Sequence, residues 1–405
     1  MAEPGPGAQR RPRNRKELIV AAAARQFARR GYPDAFVADI AAEVGITASA
    51  LYRHFGGKAA LLVAAIELEI AQLAEAYDAP PELSALLDHA AHHLLRPGRP
   101  HALWDRNARF LDPARRDELA ARYGTSLKPL RSALATARPD LGRADVVALS
   151  VAVHAVLDSG RAYERATVEE PRAGQLMVAA AAAVAEVPWL PQADPVVPPP
   201  ALPAPPPGAS GGLQPASRRE AALAAAVRLF AERGYEVVGM DDIGAAAGIS
   251  GPTLYHHFPG KSAILVEVIT RCLDALYFDL AAVLAGTDDA ATALDRTLAS
   301  FVRINLAQGD ALSPLFTEIG NVRPEERAPI RRAQQDYVNE WAVLLTAVRD
   351  DLTAADAQAL VRSAQIAVNT LRRYLPVGPA DQWVLLCRVG RAVLGLPDDS
   401  VGPMS

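Results

Sequence analysis

The sequence predicts an all-α protein, on three observations. Half of its 405 residues are apolar but only 6% are aromatic, and alanine supplies much of the apolar share, in blocks such as 21–24 and 179–183. Alanine loses no side-chain entropy in a helix and is the best helix former. Apolar residues recur at helical spacing along most of the chain, and no stretch alternates with the period of a strand. In order, this spacing predicts helices over 16–30, 39–44, 48–55, 58–77, 82–96, 100–111, 114–137, 143–163 and 172–186. Pro113, Pro139, Pro171 and Pro188 punctuate the later ones. A second series covers 218–233, 241–247, 251–258, 261–285, 289–308, 311–320, 324–350, 353–374 and 379–395.

The two series are copies. Residues 25–58 and 228–261 align without a gap at a spacing of 203, with 17 of 34 positions identical. A period that long is not a solenoid repeat and indicates duplication of a whole unit. Between the copies, residues 188–215 hold two Pro-Pro-Pro runs and then Gly-Ala-Ser-Gly-Gly, the composition of a linker. The expected organisation is a disordered basic arm (1–14) and a first helix-turn-helix domain (15–62) with a larger helical domain (63–187). After the linker come a second helix-turn-helix domain (216–265), a second helical domain (266–397) and a tail (398–405).

Composition removes several classes of function. The net charge is −4, so attraction to nucleic acid has to be local. Cys272 and Cys387 have no paired spacing and suit a reducing compartment. No segment reads as a signal peptide or a membrane span, so a cytoplasmic protein without membrane association is expected. No nucleophile–base pair points to an enzyme, and no cofactor is implied. His89 and His93 have the i, i+4 spacing of metal ligands. With His92 and His101 nearby they still lack a completing cysteine or acid, and a solvated helix face is the better reading. Pro259–Ser262 ends like a phosphate-binding loop, but Tyr255 occupies the place of its first glycine.

The chemistry lies in Asp39–Phe55. A short helix meets Gly45–Ile46, where glycine permits the left-handed backbone of a tight turn. Thr47 is placed to cap the next helix, Ala-Ser-Ala-Leu-Tyr-Arg-His-Phe. Ile40, Val44, Ile46, Leu51 and Phe55 are spaced to form a small core with Phe27. Small residues open the second helix and let it approach base edges in a major groove. The second copy repeats the pattern: Asp242–Ile243, Gly248–Ile249, Ser250 as cap, then Gly-Pro-Thr-Leu-Tyr-His-His-Phe.

These residues resemble the TetR family of bacterial repressors, through GI[TS]-x-x-x-LY-x-HF-x-GK after a helix ending F-A-x-RGY. The match covers roughly 15–62 and 218–265. A chain with two copies is similar to the tandem TetR regulators of actinobacteria, some of which control lipid-metabolism operons. The resemblance implies that Thr47, Ala48, Ser49 and Arg53 face bases in the first copy. Ser250, Gly251, Pro252, Thr253 and His256 do so in the second. Tyr52 and Tyr255 would meet a phosphate or a thymine methyl, and His54, His257, Lys58 and Lys261 would contact or flank phosphates. One departure is visible: the family's Ser or Thr before the Asp-Ile pair is replaced by Ala35–Phe36 and Val238–Gly239. The basic run Arg10, Arg11, Arg13, Arg15 and Lys16 is a candidate to compensate.

The copies are unequal. Residues 1–63 carry 10 Lys/Arg against 5 Asp/Glu, net +5, whereas 213–266 carry 5 against 5. Arg53 can grip guanine bidentately, while neutral His256 offers one donor and one acceptor. A double-stranded, non-palindromic DNA operator is therefore the expected partner, with Lys58→Ala more harmful than Lys261→Ala. By resemblance, helices 143–163 and 172–186 would face 353–374 and 379–395 as an intramolecular pseudo-dimer, with further self-association left open. The larger domains would hold a small hydrophobic effector, a lipid or an acyl thioester. Pocket candidates are Trp104, Asp105, Asn107, Arg109 and Phe110, with His154 and Asp158 spaced to bond each other. In the second copy they are Phe316, Glu318, Asn321, Gln365 and Asn369. Each has a plain packing role as its competing reading. The rival function is a small-molecule sensor that has lost DNA binding in one or both copies.

Overall fold

Helices make up most of the described residues, as the alanine content and spacing predict. The computed structural model describes residues 15–96, 99, 103–189, 215–235, 237–317, 319, 322–375 and 378–397, without the side chains of 105, 308–317, 324, 379 and 380. No strand occurs among the described residues. The basic residues at 10, 11 and 13, most of the linker, the tail, His101, Glu318 and Asn321 lie outside them, as do the side chains of Asp105 and Phe316.

The chain divides into two units. The first comprises Met1–Gln72 and Ala102–Tyr123. It holds α1 (Arg15–Arg30), α2 (Val37–Glu43), α3 (Ala48–Tyr52), most of α4 (Lys58–Ala76), α6 (Leu103–Asn107), a 3-10 turn (Ala108–Phe110) and most of α7 (Pro113–Ser126). Its core gathers Ile19, Phe27, Ile40, Leu51, Leu61, Leu62, Ile66 and Leu103, all fully buried.

The second unit comprises Leu73–His101 and Gly124–Ser405. From the first copy it takes α5 (Leu83–Leu94), α8 (Lys128–Ala137), α9 (Arg143–Leu157), α10 (Gly160–Ala166) and α11 (Arg172–Ala185). From the second it takes α12 (Arg218–Arg233), α13 (Met240–Ala247), α14 (Gly251–His257), α15 (Lys261–Ala285), α16 (Ala290–Thr317), α17 (Pro324–Val348), α18 (Ala354–Arg372) and α19 (Pro379–Leu394).

Within this unit α9 and α10 pack on α18, and α11 packs on α18 and α19. Helices of the two copies therefore share one core. Polar contacts tie it: the Ser159 and Ser363 hydroxyls are 2.8 Å apart and buried. Arg172 pairs with Asp356 at 3.0 Å, and the carboxylate is 4% exposed. Asp356 also accepts from the Thr353 N–H while Thr353 Oγ1 accepts from the Asp356 N–H, both at 3.1 Å, a reciprocal cap on α18.

Several predicted spans differ. The span 114–137 is broken into α7 and α8, because Pro129, second in α8, has no N–H to continue the ladder. The span 143–163 is broken into α9 and α10: Ser159 Oγ donates to Val156 O at 2.6 Å, competing with the backbone, and Gly160 follows. The spans 289–308 and 311–320 are one helix, α16, which carries Gly309 through its interior.

Candidate nucleic-acid interface

Each reading segment is built on a buried base. In the first copy Phe27, Ile40 and Leu51 are fully buried, Phe55 is 7% exposed, and Val44 and Ile46 are partly buried against them. Gly45 adopts φ +66° between α2 and α3, and the Ile46 N–H reaches Ala41 O at 2.9 Å. Gly248 adopts φ +67° in the second copy, where the Ile249 N–H reaches Gly244 O at 2.9 Å. The turn places Thr47 at the start of α3, and its Oγ1 accepts from the Ala50 N–H at 3.2 Å, the expected cap. Ser250 begins α14 but does not cap it: its hydroxyl lies 2.9 Å from the Thr253 hydroxyl instead. The two short side chains are one turn apart and satisfy each other.

The outward faces differ as the sequences do. Thr47, Ser49, Tyr52, Arg53 and His54 are exposed, with Ala48 half-buried. Ser250, Pro252, Tyr255 and His256 are exposed, with Gly251, Thr253 and His257 half-buried. Tyr52 and Tyr255 are 53% and 54% exposed, so packing of the bundle does not explain these two aromatics. The first reading helix ends at Tyr52, earlier than predicted, leaving Arg53 as its C-cap, while α14 continues through His257.

The lysines have internal partners. Lys58 Nζ donates to Pro33 O at 2.8 Å and lies 4.8 Å from the Tyr32 ring centre. Lys261 Nζ donates to Tyr235 O at 2.8 Å and lies 4.3 Å from its ring. Each lysine thus fastens the loop after the first helix to the start of the fourth helix of its copy. Lys16 and Arg219, equivalent positions, lie over the Phe55 and Phe258 rings at 5.6 and 4.9 Å. Lys16 therefore belongs to the helix, with its charge held against the recognition core.

The missing Ser/Thr cap is met differently in the two copies. In the second, Asp242 Oδ2 accepts from the Gly239 N–H at 2.8 Å. In the first, Phe36 starts α2 with no side-chain cap and is 61% exposed, and Asp39 pairs with Arg30 at 2.5 Å. A brace that sequence reading missed joins α1 to α2: Gln26 Nε2 and Arg25 Nε donate to the two oxygens of Glu43, at 2.7 and 2.9 Å. Burial pushes the Glu43 carboxyl up, but the bonds from Gln26 and Arg25 outweigh it and hold it below its ordinary value. A glutamine on the apolar face of α1 was the available signal. The second copy has Leu229 and Ala246 at these positions.

The effector candidates separate by unit. In the first unit Asn107 is fully buried; its Oδ1 accepts from the Tyr32 N–H at 2.7 Å, and its Nδ2 donates to Leu103 O at 3.0 Å and Phe27 O at 3.3 Å. It clamps α6 to the end of α1. Buried Glu69, also missed, accepts from the Leu103 and Trp104 N–H groups at 3.0 and 2.8 Å. Trp104 stacks on Tyr123 at 5.7 Å, Phe110 stacks on Tyr32 at 5.4 Å, and exposed Arg109 lies 5.1 Å from the Phe110 ring.

In the second unit, the expected mutual bond of His154 and Asp158 is replaced by bonds to groups distant in sequence. His154 Nδ1 lies 2.9 Å from Tyr77 Oη, and Asp158 pairs with Arg99 at 2.9 Å. Burial pushes the His154 imidazole down to about 4 and the Tyr77 hydroxyl up. Aligning the first-turn acids Asp145 and Asp356 sets His154 opposite Gln365 and Asp158 opposite Asn369. Both amides are 7% exposed, and Gln365 Nε2 and Asn369 Oδ1 have no hydrogen-bond partner. Leu280 stands where Tyr77 stands in the first copy, so the partner hydroxyl is gone. Fully buried Asn305 on α16 has an unpartnered Oδ1 as well. Among the described residues no group of three His, Cys, Asp or Glu is placed to hold a metal.

The family description "Bacterial regulatory proteins, tetR family" matches residues 19–65 and 222–268. The chain is 33% identical over 154 residues to the HTH-type transcriptional repressor KstR2 of Rhodococcus jostii, covering 37% of this chain and 75% of that protein. It is 44% identical over 64 residues to KstR2 of Mycolicibacterium smegmatis, covering 16% of this chain and 31% of that protein. It is 40% identical over 72 residues to the HTH-type transcriptional activator FasR of the same organism, covering 18% of this chain and 33% of that protein. The chain thus spans about a third of these two M. smegmatis relatives. Among solved structures, PfmR from Thermus thermophilus is similar over 45% of this chain and 98% of its own, at 22% identity and a TM-score of 0.39. The chain belongs to the tetR family of bacterial regulatory proteins and carries the family's helix-turn-helix module twice.

Proposed function

We propose that this chain is a ligand-responsive, DNA-binding transcriptional repressor that reads an asymmetric operator through two unequal recognition segments. The observation that carries the reading is the pair of equivalent aromatics, Tyr52 and Tyr255, exposed beside side chains that differ between the copies. One common frame presents Arg53 and His54 in one place and His256 and His257 in the other. A direct reader built this way distinguishes its two half-sites. The packing of α9, α10 and α11 on α18 and α19 supports an internal pseudo-dimer, in which one chain supplies both halves of the usual symmetric dimer.

The effector site is assigned to the second copy. A ligand shifts the equilibrium only by its preference for one state. Unpartnered Gln365 Nε2, Asn369 Oδ1 and Asn305 Oδ1, all buried, favour a ligand such as a lipid or acyl thioester that carries a few hydrogen-bonding groups. The first copy closes the matching positions with Tyr77 and Arg99.

The test compares Lys58→Ala with Lys261→Ala in salt-titrated gel shifts on DNA from upstream of the gene. Each lysine donates to a carbonyl of the loop after the first helix at 2.8 Å, Pro33 O in one copy and Tyr235 O in the other, so both substitutions remove an internal bond as well as a charge. The remaining difference reports the surrounding charge, net +5 over 1–63 against zero over 213–266. The first substitution should weaken binding more, and binding should fall steeply with salt. Equal losses would remove the proposed inequality. A flat salt dependence would favour the sensor without DNA binding.

A further inference from the structure

The contact of α10, α17 and α18 gathers four arginines. Arg161 and Arg165 are one turn apart on α10, Arg331 is on α17, and Arg362 directly precedes Ser363 on α18. The Ser159–Ser363 bond fixes the start of α10 to α18 at 2.8 Å. Arg362 donates to Gln335, one turn beyond Arg331, and so fixes α18 to α17. Arg165 and Arg331 are exposed, and Arg161 and Arg362 half-buried, so the cluster opens to solvent. Among the described residues no carboxylate forms an ion pair with any of the four. Buried Arg362 Nε has no hydrogen-bond partner at all.

Like charges this close oppose one another. Although part of Arg165 reaches solvent, burial of its guanidinium first, and then the charges of Arg161, Arg362 and Arg331, outweigh the neighbouring Glu164 carboxylate and push it down to about 10. Glu164 offsets part of this field, and a bound counter-anion relieves the rest.

We propose that this cluster binds one small anion carrying two or more phosphate groups, held between the two copies. Planar guanidinium forks match phosphate oxygens in pairs, and four charges exceed what a single carboxylate neutralises. The site is single because the duplication does not repeat it. The alignment of Asp145 with Asp356 sets Arg372, Pro376, Val151 and Ala120 at the matching positions, one charge instead of four. Since α10 belongs to one copy and α17 and α18 to the other, a bound anion favours the arrangement in which the copies are docked. The inference goes beyond the DNA reading and requires only the packing of the copies.

Calorimetric titration of the full chain with pyrophosphate at fixed ionic strength tests it, beside the double variant Arg165→Gln/Arg331→Gln. The expected result is one pyrophosphate per chain, weakened at least tenfold in the variant. The ligand-free variant should keep or raise its Tm, because exposed like charges have been removed. A parallel titration with ADP separates sources: tighter binding identifies a nucleoside diphosphate, equal binding the phosphate pair alone. Heat no larger than that of chloride at equal ionic strength, two sites per chain, or an unaffected variant would overturn the proposal. It is equally overturned if the variant leaves pyrophosphate binding intact but flattens the salt dependence of duplex binding, which would assign the arginines to the DNA backbone.

Discussion

His154 shows what a single buried group decides. It sits on α9 with its ring 2.9 Å from Tyr77 Oη, and burial brings its pKa down to about 4. An unfolded chain would protonate it near its ordinary value of about 6.5. Between these values the unfolded state binds more protons, so stability falls as the pH drops from about 6.5 to 4. The slope reaches about 1.4 kcal/mol per pH unit for one proton. His154→Gln, which installs the residue found opposite it at 365, should flatten that part of a stability–pH curve measured by denaturant titration. An unchanged curve would mean that other groups dominate. At this scale the sequence was partly legible: it singled out His154 and Asp158, but not their partners. Tyr77 lies 77 residues away and Arg99 lies 59 away, and helical spacing carries no information on contacts of that range.

At the scale of elements, the reading segment was the most legible part of the chain, because its determinants are local. Gly45, Thr47, Leu51 and Phe55 occur within eleven residues, and turn, cap and core all form among them or with adjacent helices. The left-handed φ of +66° at Gly45 faces open space, so a methyl group there meets backbone strain alone. Gly45→Ala should cost about 1–2 kcal/mol of stability and tilt α3 against α2. A matched fall in DNA affinity, measured by fluorescence anisotropy, is expected. Full affinity with full stability would show that the turn tolerates another geometry. The helix breaks at 127 and 158–159 were less legible. They depend on one proline and one serine hydroxyl inside segments that are otherwise continuously helical in pattern. The same physics explains Ser250: capping was predicted from its position, yet Thr253 offered its hydroxyl a nearer partner.

On the scale of the molecule, duplication has been followed by divergence. The first copy braces α1 to α2 through Glu43, whereas the second has Leu229 and Ala246 there. The second copy leaves amides unpartnered where the first closes a His–Tyr and an Asp–Arg pair. The copies meet through a pair with one buried partner, Asp356, 4% exposed beside Arg172. Breaking such a pair by removing one member leaves an uncompensated charge and costs about 3–5 kcal/mol in full burial, less here because Arg172 is 41% exposed. If one chain is its own pseudo-dimer, cleaving the linker should leave the two parts associated in light scattering, and Arg172→Glu should release them. Separation of the wild-type parts would contradict that arrangement.

The central claim is that two unequal readers on one chain define an asymmetric target. Selection of bound duplexes from a random pool by the full-length protein tests it most directly. The account predicts two different half-sites in fixed order, with Arg53→Ala relaxing only one of them. An inverted repeat of a single half-site, or a pool with no enriched sequence, would contradict it.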